Sequence, residues 1–532
     1  MKRLLTFLLT LISPILLMAQ QEMGLDERIN QAFTPFATAW ENLVFYPFPG
    51  TSIPFVVILL VFGALFFTIF FKFTNITKFW TSIKIVRGHY DDLDHHEAYE
   101  KVAVNVVDGD IVDTIGDESK HGEVSHFQAL ATAVSGTVGL GNIAGVAIAV
   151  TIGGPGATFW MIICGLLGMS TKFVECTLGV KYRDVGADGT VYGGPMYYLS
   201  KGLKDKGYTG LGKALAVLFA ILCIGGSFGG GNAAQSNQAA LQIAQMMGLE
   251  SGSAGTIIGV ILAIVVGIVI IGGIKRIASV TEKIVPLMAG IYIIACLIVI
   301  FSNFSFIDDA IGLIISQAFT PEAGVGGMMG VLIQGFRRAV FSNEAGAGSA
   351  SIAHSAVKTN YPASEGLVAL LEPFIDTVVI CTMTALVIVI YNSGGYFEYG
   401  AAGGTVMIDG VSYQGATLTS KAFESVIPWF PYVLTIAIVL FAVSTMISWS
   451  YYGLQSWMYL FGKSKAADLS YKIMFLIFIV IGAAANMSSV WGFSDAMILA
   501  MVFPNMIGLF FLFPQVRSEL SRYLKAIGSS DK

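Results

Sequence analysis

The chain has 532 residues, of which 55% are hydrophobic and only 12% charged. A soluble globular domain carries about 25% charged residues, so this composition, with a mean hydropathy of +0.73, describes a polytopic membrane protein. A net charge of −5 without a basic, aromatic-interleaved patch gives no reason to expect a nucleic-acid partner. The five cysteines (Cys164, Cys176, Cys223, Cys296 and Cys381) all lie in apolar segments with no paired spacing, which offers neither a disulfide nor a metal framework.

Residues 1–20 begin Lys2-Arg3, continue with a short apolar run and reach Ala19, the pattern of a signal peptide; Pro14 and the short length argue against a span. Residues 21–50 then read as a periplasmic segment. Within it, Phe33, Phe36, Trp40 and Phe45 fall near helical spacing, as in an amphipathic helix resting at the outer surface. The apolar run 54–71, inside an extra N-terminal transmembrane segment 51–74, is the first span, followed by Lys72, Lys78, Lys84 and Arg87. Residues 75–126 form a polar, acidic loop. Its DDLDHHE cluster at 91–97 lacks regular ligand spacing and reads as a solvated acidic stretch rather than a metal site, and the alternation VAVNVVDGDIVD at 102–113 suggests a small hairpin.

Further spans are expected near 127–152, 157–180, 212–248, 255–274, 284–302, 324–356, 365–391, 430–460, 470–487 and 493–514, about eleven in all with 54–71. Each apolar core is long enough to cross roughly 30 Å of hydrocarbon. Lys181, Arg183, Lys201, Lys204, Lys206, Lys275, Arg276, Lys358, Lys463, Lys465, Arg517, Arg522 and Lys525 then share one side. The other side carries Glu250, Asp308, Asp309, Glu322, Glu398, Asp409 and Glu424, with Lys421 its one basic residue. The positive-inside rule places the 75–126 loop and the C-terminal tail, 517–532, in the cytoplasm of a cell whose inner membrane holds the protein.

Two spans are interrupted. Residues 133–146 read AVSGTVGLGNIAGV, with Gly136, Gly139, Gly141 and Gly145 interleaved with Ser135, Thr137 and Asn142. A glycine inside a helix costs about 1 kcal/mol relative to alanine, and backbone freed by unwinding cannot face lipid, so the stretch must line a cavity, a ligand or buried protein. The span near 324–356 repeats this character in FSNEAGAGSA, residues 341–350. With 54–71 set aside, the interrupted spans are the first and sixth of ten. This divides the chain into five-helix repeats, 127–304 and 305–516, of opposite orientation, as in an inverted-repeat secondary transporter with its site at the midplane.

SGTVGLGNIAGVA, GTVYGGPMYYL (189–199), FSNEAGAGSA and STMISWSYYG (444–453) together resemble the alanine or glycine:cation symporter family, the sodium:alanine symporters. The resemblance spans about residues 50–520; the 89–121 insert is long for the family, and the acidic residue that usually follows its YYG is missing. It implies an all-α LeuT-type fold with a 5+5 inverted repeat plus one extra N-terminal helix. It also implies sodium-coupled uptake of a small neutral amino acid (alanine or glycine, with serine and D-alanine as further candidates) by alternating access, with Na+ as coupling ion and no cofactor.

In such a fold the substrate carboxylate docks on backbone N–H groups of the first break, here Thr137, Gly139, Leu140 and Gly141. The ammonium meets carbonyls around Phe341, Ser342 and Ala345 in the second. Sodium, a hard cation, takes oxygen: the Ser135 and Val138 carbonyls with the Ser444 and Thr445 hydroxyls. The alternative for those hydroxyls is a bond to their own preceding turn. Asn142 is equally a tie holding the break and a cation ligand. Trp449, four residues after Thr445, shares its face and can wall the pocket. Asn232, Gln235, Gln238 and Gln242 form a polar stripe, with Gln235 the candidate for substrate contact. Glu175 reads as an acceptor for N–H groups freed by the second break, or as a proton carrier if coupling is to H+. Arg337 and Arg338, one turn outside the second break, each need a partner or a water-filled vestibule, and Asp376 and Glu372 are the available acids for an outer gate. A cation channel is the weaker alternative, since two different breaks converge on one site. An embedded enzyme lacks machinery, with no HExxH and His354 without an evident second ligand.

Overall fold

The structure, a computed structural model, describes residues 25–530 apart from 52, 92, 94–121, 187–188, 250–252 and 320–326. The expected signal peptide and the hairpin at 102–113 lie outside the described residues, as does most of the acidic cluster at 91–97.

The chain is an all-α, multi-pass membrane protein. In order come α1 (Leu25–Val44), α2 (Phe55–Phe70), α3 (His126–Thr137), α4 (Gly141–Gly153), α5 (Gly156–Lys181), α6 (Thr209–Met247), α7 (Ala254–Ile270) and α8 (Gly273–Ser302). There follow α9 (Gly327–Asn343), α10 (Ala350–His354), α11 (Pro362–Gly394), α12 (Ala416–Glu424), α13 (Phe430–Phe461), α14 (Lys465–Ala484) and α15 (Met487–Ser530). Among the described residues, strands form two short antiparallel hairpins, β1 (Asp184–Val185) with β2 (Val191–Tyr192) and β3 (Thr405–Ile408) with β4 (Val411–Gln414).

Among the described residues seven helices are long and apolar enough to cross a membrane alone, and the bent pair α3–α4 makes eight. The expectation of about eleven counted three more apolar runs. Of these, α2 and α7 are apolar but only 16 and 17 residues long. The third, α9, carries Gln334, Arg337 and Arg338, and stops after 17 residues where the backbone turns away.

Both expected interruptions are present. α3 starts at a capping box, Ser125 Oγ accepting from the Gln128 N–H while Gln128 Oε1 accepts from the Ser125 N–H, which satisfies two otherwise orphaned donors. It ends at Thr137, and α4 resumes after Val138–Leu140 at an angle of 49°. The second interruption runs from Asn343 to Ala350. Gly346 and Gly348 adopt φ of 91° and 88° there, a region that residues with a Cβ rarely enter. A Cβ on Gly346 would also sit 2.5 Å from Leu60 Cδ2.

α6 and α11 cross the core through widened π turns at Gly229–Ala233 and Phe374–Cys381, a local form that recurs at functional sites. α5 packs against α2, α9, α10 and α11, whereas α3 packs against α8, α10 and α13. α1, the helix expected to be amphipathic, docks on α15: the Phe33 and Phe493 rings meet at 5.1 Å, and Thr34 Oγ1 lies 2.7 Å from Ser489 Oγ.

Candidate functional site

The first break is held by side chains from three other helices. Its Gly139 N–H donates to Asn142 Oδ1 at 2.9 Å, and its Leu140 N–H donates to Gln235 Oε1 at 3.0 Å. Gln235 is aimed there by its other end, Nε2 donating 2.8 Å to the Gly230 carbonyl in the π turn of α6. Asn142 Nδ2 donates to Asp376 Oδ1 at 2.6 Å. Asp376 lies on the π turn of α11 and also accepts from Ser342 Oγ at 3.1 Å, so one carboxylate joins both breaks. All these groups are buried.

The backbones at the breaks also approach closely. A Cβ on Gly139 would lie 2.4 Å from Thr445 Oγ1 and 3.0 Å from Gln235 Oε1, and one on Gly141 would lie 3.4 Å from the Phe341 ring. A larger residue at 139 would have to push the Thr445 hydroxyl and the Gln235 amide out of their places. Thr445 Oγ1 donates to the Ser135 carbonyl at 2.9 Å, and Ser135 Oγ donates to the Ser444 carbonyl at 2.9 Å. Ser444 Oγ donates to the Phe441 carbonyl at 3.0 Å, and Val138 follows where the helix has ended, at φ −74° and ψ 88°. Carbonyl and hydroxyl oxygens thus gather where α3 ends against α13.

In the second break the Ala345 N–H donates to Asn343 Oδ1 at 2.9 Å, and Trp449 Nε1 donates to Glu344 Oε1 at 2.9 Å. Trp449 is therefore anchored by a carboxylate of the break, with its ring against Gly231. The Phe341 ring lies tilted against Trp491, with centroids 4.8 Å apart. The Thr137 hydroxyl is turned back to its own helix, donating to the Ala133 carbonyl at 3.2 Å. The structure thus brings Ser135, Gly139, Leu140, Gly141, Asn142, Gln235, Phe341, Ser342, Asp376 and Thr445 into one buried region.

The family model for the sodium:alanine symporter family matches residues 43–532. The chain belongs to that family. The symporter is 43% identical over 408 residues to the sodium/alanine symporter AgcS of Methanococcus maripaludis, covering 76% of this chain and 86% of the relative. It is 37% identical to the probable sodium/glutamine symporter GlnT of Bacillus subtilis, covering 76% and 79%. It is 36% identical to the putative sodium/proton-dependent alanine carrier protein YrbD of the same organism, covering 76% and 81%. Cation-coupled amino-acid symport is the activity of the family, and the symporter is a transporter rather than an enzyme.

Two sequence-based pairings are corrected in the symporter. Arg337 and Arg338 do not pair with Asp376 or Glu372. Arg337 Nε donates to Asp495 Oδ2 at 2.6 Å and its Nη2 to Glu41 Oε1 at 2.7 Å, while Arg338 Nη2 donates to the same Asp495 oxygen. Asp376 is turned inward to Asn142, and Glu372 accepts from Lys172 Nζ at 3.0 Å. The acids expected from the sequence lie on α11, but the helix packed against the arginines at this end is α15, nearly 160 residues later. Glu175 reaches the second break through Asn505, whose Nδ2 donates to Glu175 Oε1 at 2.6 Å and to the Gly346 carbonyl at 2.8 Å.

Sequence reasoning passed over Lys172, Glu365, Asp495 and Asn505. Lys172 and Asp495 carried a signal, since an ionisable residue inside an apolar span marks a functional or paired position. Asn505 carried none beyond its polarity.

Proposed function

We propose that this symporter carries a small neutral amino acid, alanine first among candidates, into the cell together with sodium by alternating access. The observation that supports the reading most is the contact of Thr445 Oγ1 with the Ser135 carbonyl beside the unwound Gly139–Leu140 backbone. A hard cation favours such neutral oxygen donors. The cation site is the Ser135 and Val138 carbonyls with the Thr445 and Ser444 hydroxyls, and the Phe441 carbonyl adjoins it. A cation there would tie α13 to the end of α3, the arrangement that also orders the substrate backbone.

The substrate carboxylate takes the N–H groups of the first break, displacing Gln235 Oε1 from the Leu140 N–H, so that Gln235 can turn its Nε2 to the incoming anion. The ammonium meets the carbonyls near Phe341, Ser342 and Ala345. No charged side chain is required of the first break, which suits a zwitterion. Trp449, held by Glu344, closes one wall and keeps the site to small side chains. Because each ligand stabilises the same closed arrangement, coupling is reciprocal, and each sodium contributes about 2.3 kcal/mol per 100 mV of membrane potential.

Uptake of radiolabelled alanine into proteoliposomes tests the reading. Accumulation that requires an inward sodium gradient supports it. Accumulation driven by a pH gradient alone would move the coupling ion from sodium to the proton, the second reading, which the name of the sodium/proton-dependent relative favours and which directs attention to Glu175.

A further inference from the structure

A cluster of ionisable side chains apart from the transport site ties four helices together. Glu365 and Glu372 lie on α11, His354 ends α10, Lys172 lies on α5, and His126 opens α3; the first four are fully buried and His126 is 6% exposed. His354 sits between the two carboxylates, its Nδ1 2.5 Å from Glu365 Oε1 and its Nε2 3.5 Å from Glu372 Oε2. The second oxygen of Glu365 faces His126 Nδ1, and the second oxygen of Glu372 accepts from Lys172 Nζ at 3.0 Å.

A neutral imidazole has one N–H and one lone pair. Both ring nitrogens of His354 face carboxylate oxygens, so in the neutral form one contact would set a lone pair against an anion. An additional proton removes that conflict. Charge counting gives the same answer: Lys172 brings one positive charge against two carboxylates, and a proton on His354 makes these four groups neutral overall. His126 can satisfy Glu365 as a neutral donor. An uncompensated charge in a buried cluster costs several kcal/mol.

Among the described residues, the helices packed around His354 and Glu372 bring no cation besides Lys172. α5 adds Glu175 and Cys176, the second break adds Glu344, and α13 adds Tyr452, all acids or neutral groups. Arg183, beyond the end of α5 and near Glu365, donates to the Ser355, Val357 and Thr359 carbonyls.

We propose that Glu365, His354 and Glu372 form a proton-binding site, which holds one proton while α3 and α10 are closed against α11 and releases it to the solution at the His126 end when α3 swings away. On release the proton passes from the His354 imidazolium to water, leaving a neutral imidazole and two carboxylates that water can then solvate. The site needs no bound substrate: it couples both broken helices to the pH on one face, where acid holds the protein closed and alkali favours opening.

The test uses purified full-length protein without sodium or amino acid, so its outcome is separate from the transport reading. Replacing His89, His95, His96 and His121 by glutamine leaves His126 and His354 as the two histidines of the chain. Nitrogen-15 spectra of the labelled imidazoles are then recorded at about pH 7.5, a unit above the ordinary histidine pKa of about 6.5. One imidazole protonated on both nitrogens is expected, and it should become neutral in Glu372→Gln; two neutral imidazoles overturn the proposal. Hydrogen exchange of residues 126–137, corrected for its intrinsic pH dependence, should rise about tenfold between about pH 6 and pH 9 and stay flat in Glu372→Gln. Identical pH profiles in the two proteins would show that the cluster is only structural.

Discussion

Thr445 Oγ1 donates to the Ser135 carbonyl at 2.9 Å, and Ser135 returns the contact by donating its own Oγ to the Ser444 carbonyl at 2.9 Å. Reciprocal bonds of this kind pin α13 to the last turn of α3, immediately before the backbone unwinds. Removing the Thr445 hydroxyl takes away one bond and one oxygen donor. Thr445→Ala should raise the sodium concentration for half-maximal uptake at least tenfold, about 1.4 kcal/mol, with Thr445→Ser retaining most of the function. Sodium titration of alanine uptake decides it, and an unchanged half-saturation in Thr445→Ala would remove Thr445 from the cation site.

Gln235 Oε1 accepts from the Leu140 N–H, the donor proposed for the substrate carboxylate. A glutamate there would meet the substrate carboxylate with like charge. Gln235→Glu should therefore raise the KM for alanine by more than tenfold while shifting sodium half-saturation much less. Gln235→Ala should show a smaller rise, since a lost hydrogen bond costs about 0.5–1.5 kcal/mol. Equal shifts in both constants would mean that Gln235 only supports the fold of the break.

Gly139 leaves no space for a methyl group, because a Cβ there would collide with Thr445 Oγ1. Gly139→Ala should abolish uptake. Gly290, in α8, has no atom within 4 Å of the equivalent position. Gly290→Ala should leave uptake intact and stabilise the helix by up to about 1 kcal/mol. Transport assays at matched expression compare the two, and comparable activity would contradict the close packing at the first break.

At the opposite end of the site, Asp495 is fully buried and serves both Arg337 and Arg338. Asp495→Asn leaves two adjacent arginines short of an acid, a loss that costs about 3–5 kcal/mol for a broken buried pair. Glu41 is a partner at the rim, its side chain 34% exposed, and exposed pairs contribute about 0–1 kcal/mol. Thermal unfolding in detergent should show a large drop for Asp495→Asn and a small one for Glu41→Gln. The reverse order would assign the arginines to α1 rather than to α15.

The positions of both breaks were legible because glycines mixed with hydroxyls and amides weaken a helix inside an apolar run, and a bilayer tolerates the freed backbone only where protein or ligand meets it. The neighbourhood of Gln235 and Thr445 was legible from helical spacing and from motif resemblance. The partners of Arg337 and Arg338 were not, because the acids on α11 are closer in sequence and look equally suitable.

Hydropathy, the interrupted helices and four ordered motifs determined by themselves that this is an all-α membrane protein of a cation-coupled amino-acid symporter family. These are local properties: each segment must satisfy its own backbone and match its own surroundings whatever the other segments do. Only the tertiary structure decided that Asp376 joins the two breaks, that Asp495 and Glu41 answer the arginines, and that His354 stands between Glu365 and Glu372. Those pairings depend on which faces of distant helices pack together, and buried polar groups take whichever partner that packing brings within hydrogen-bond reach.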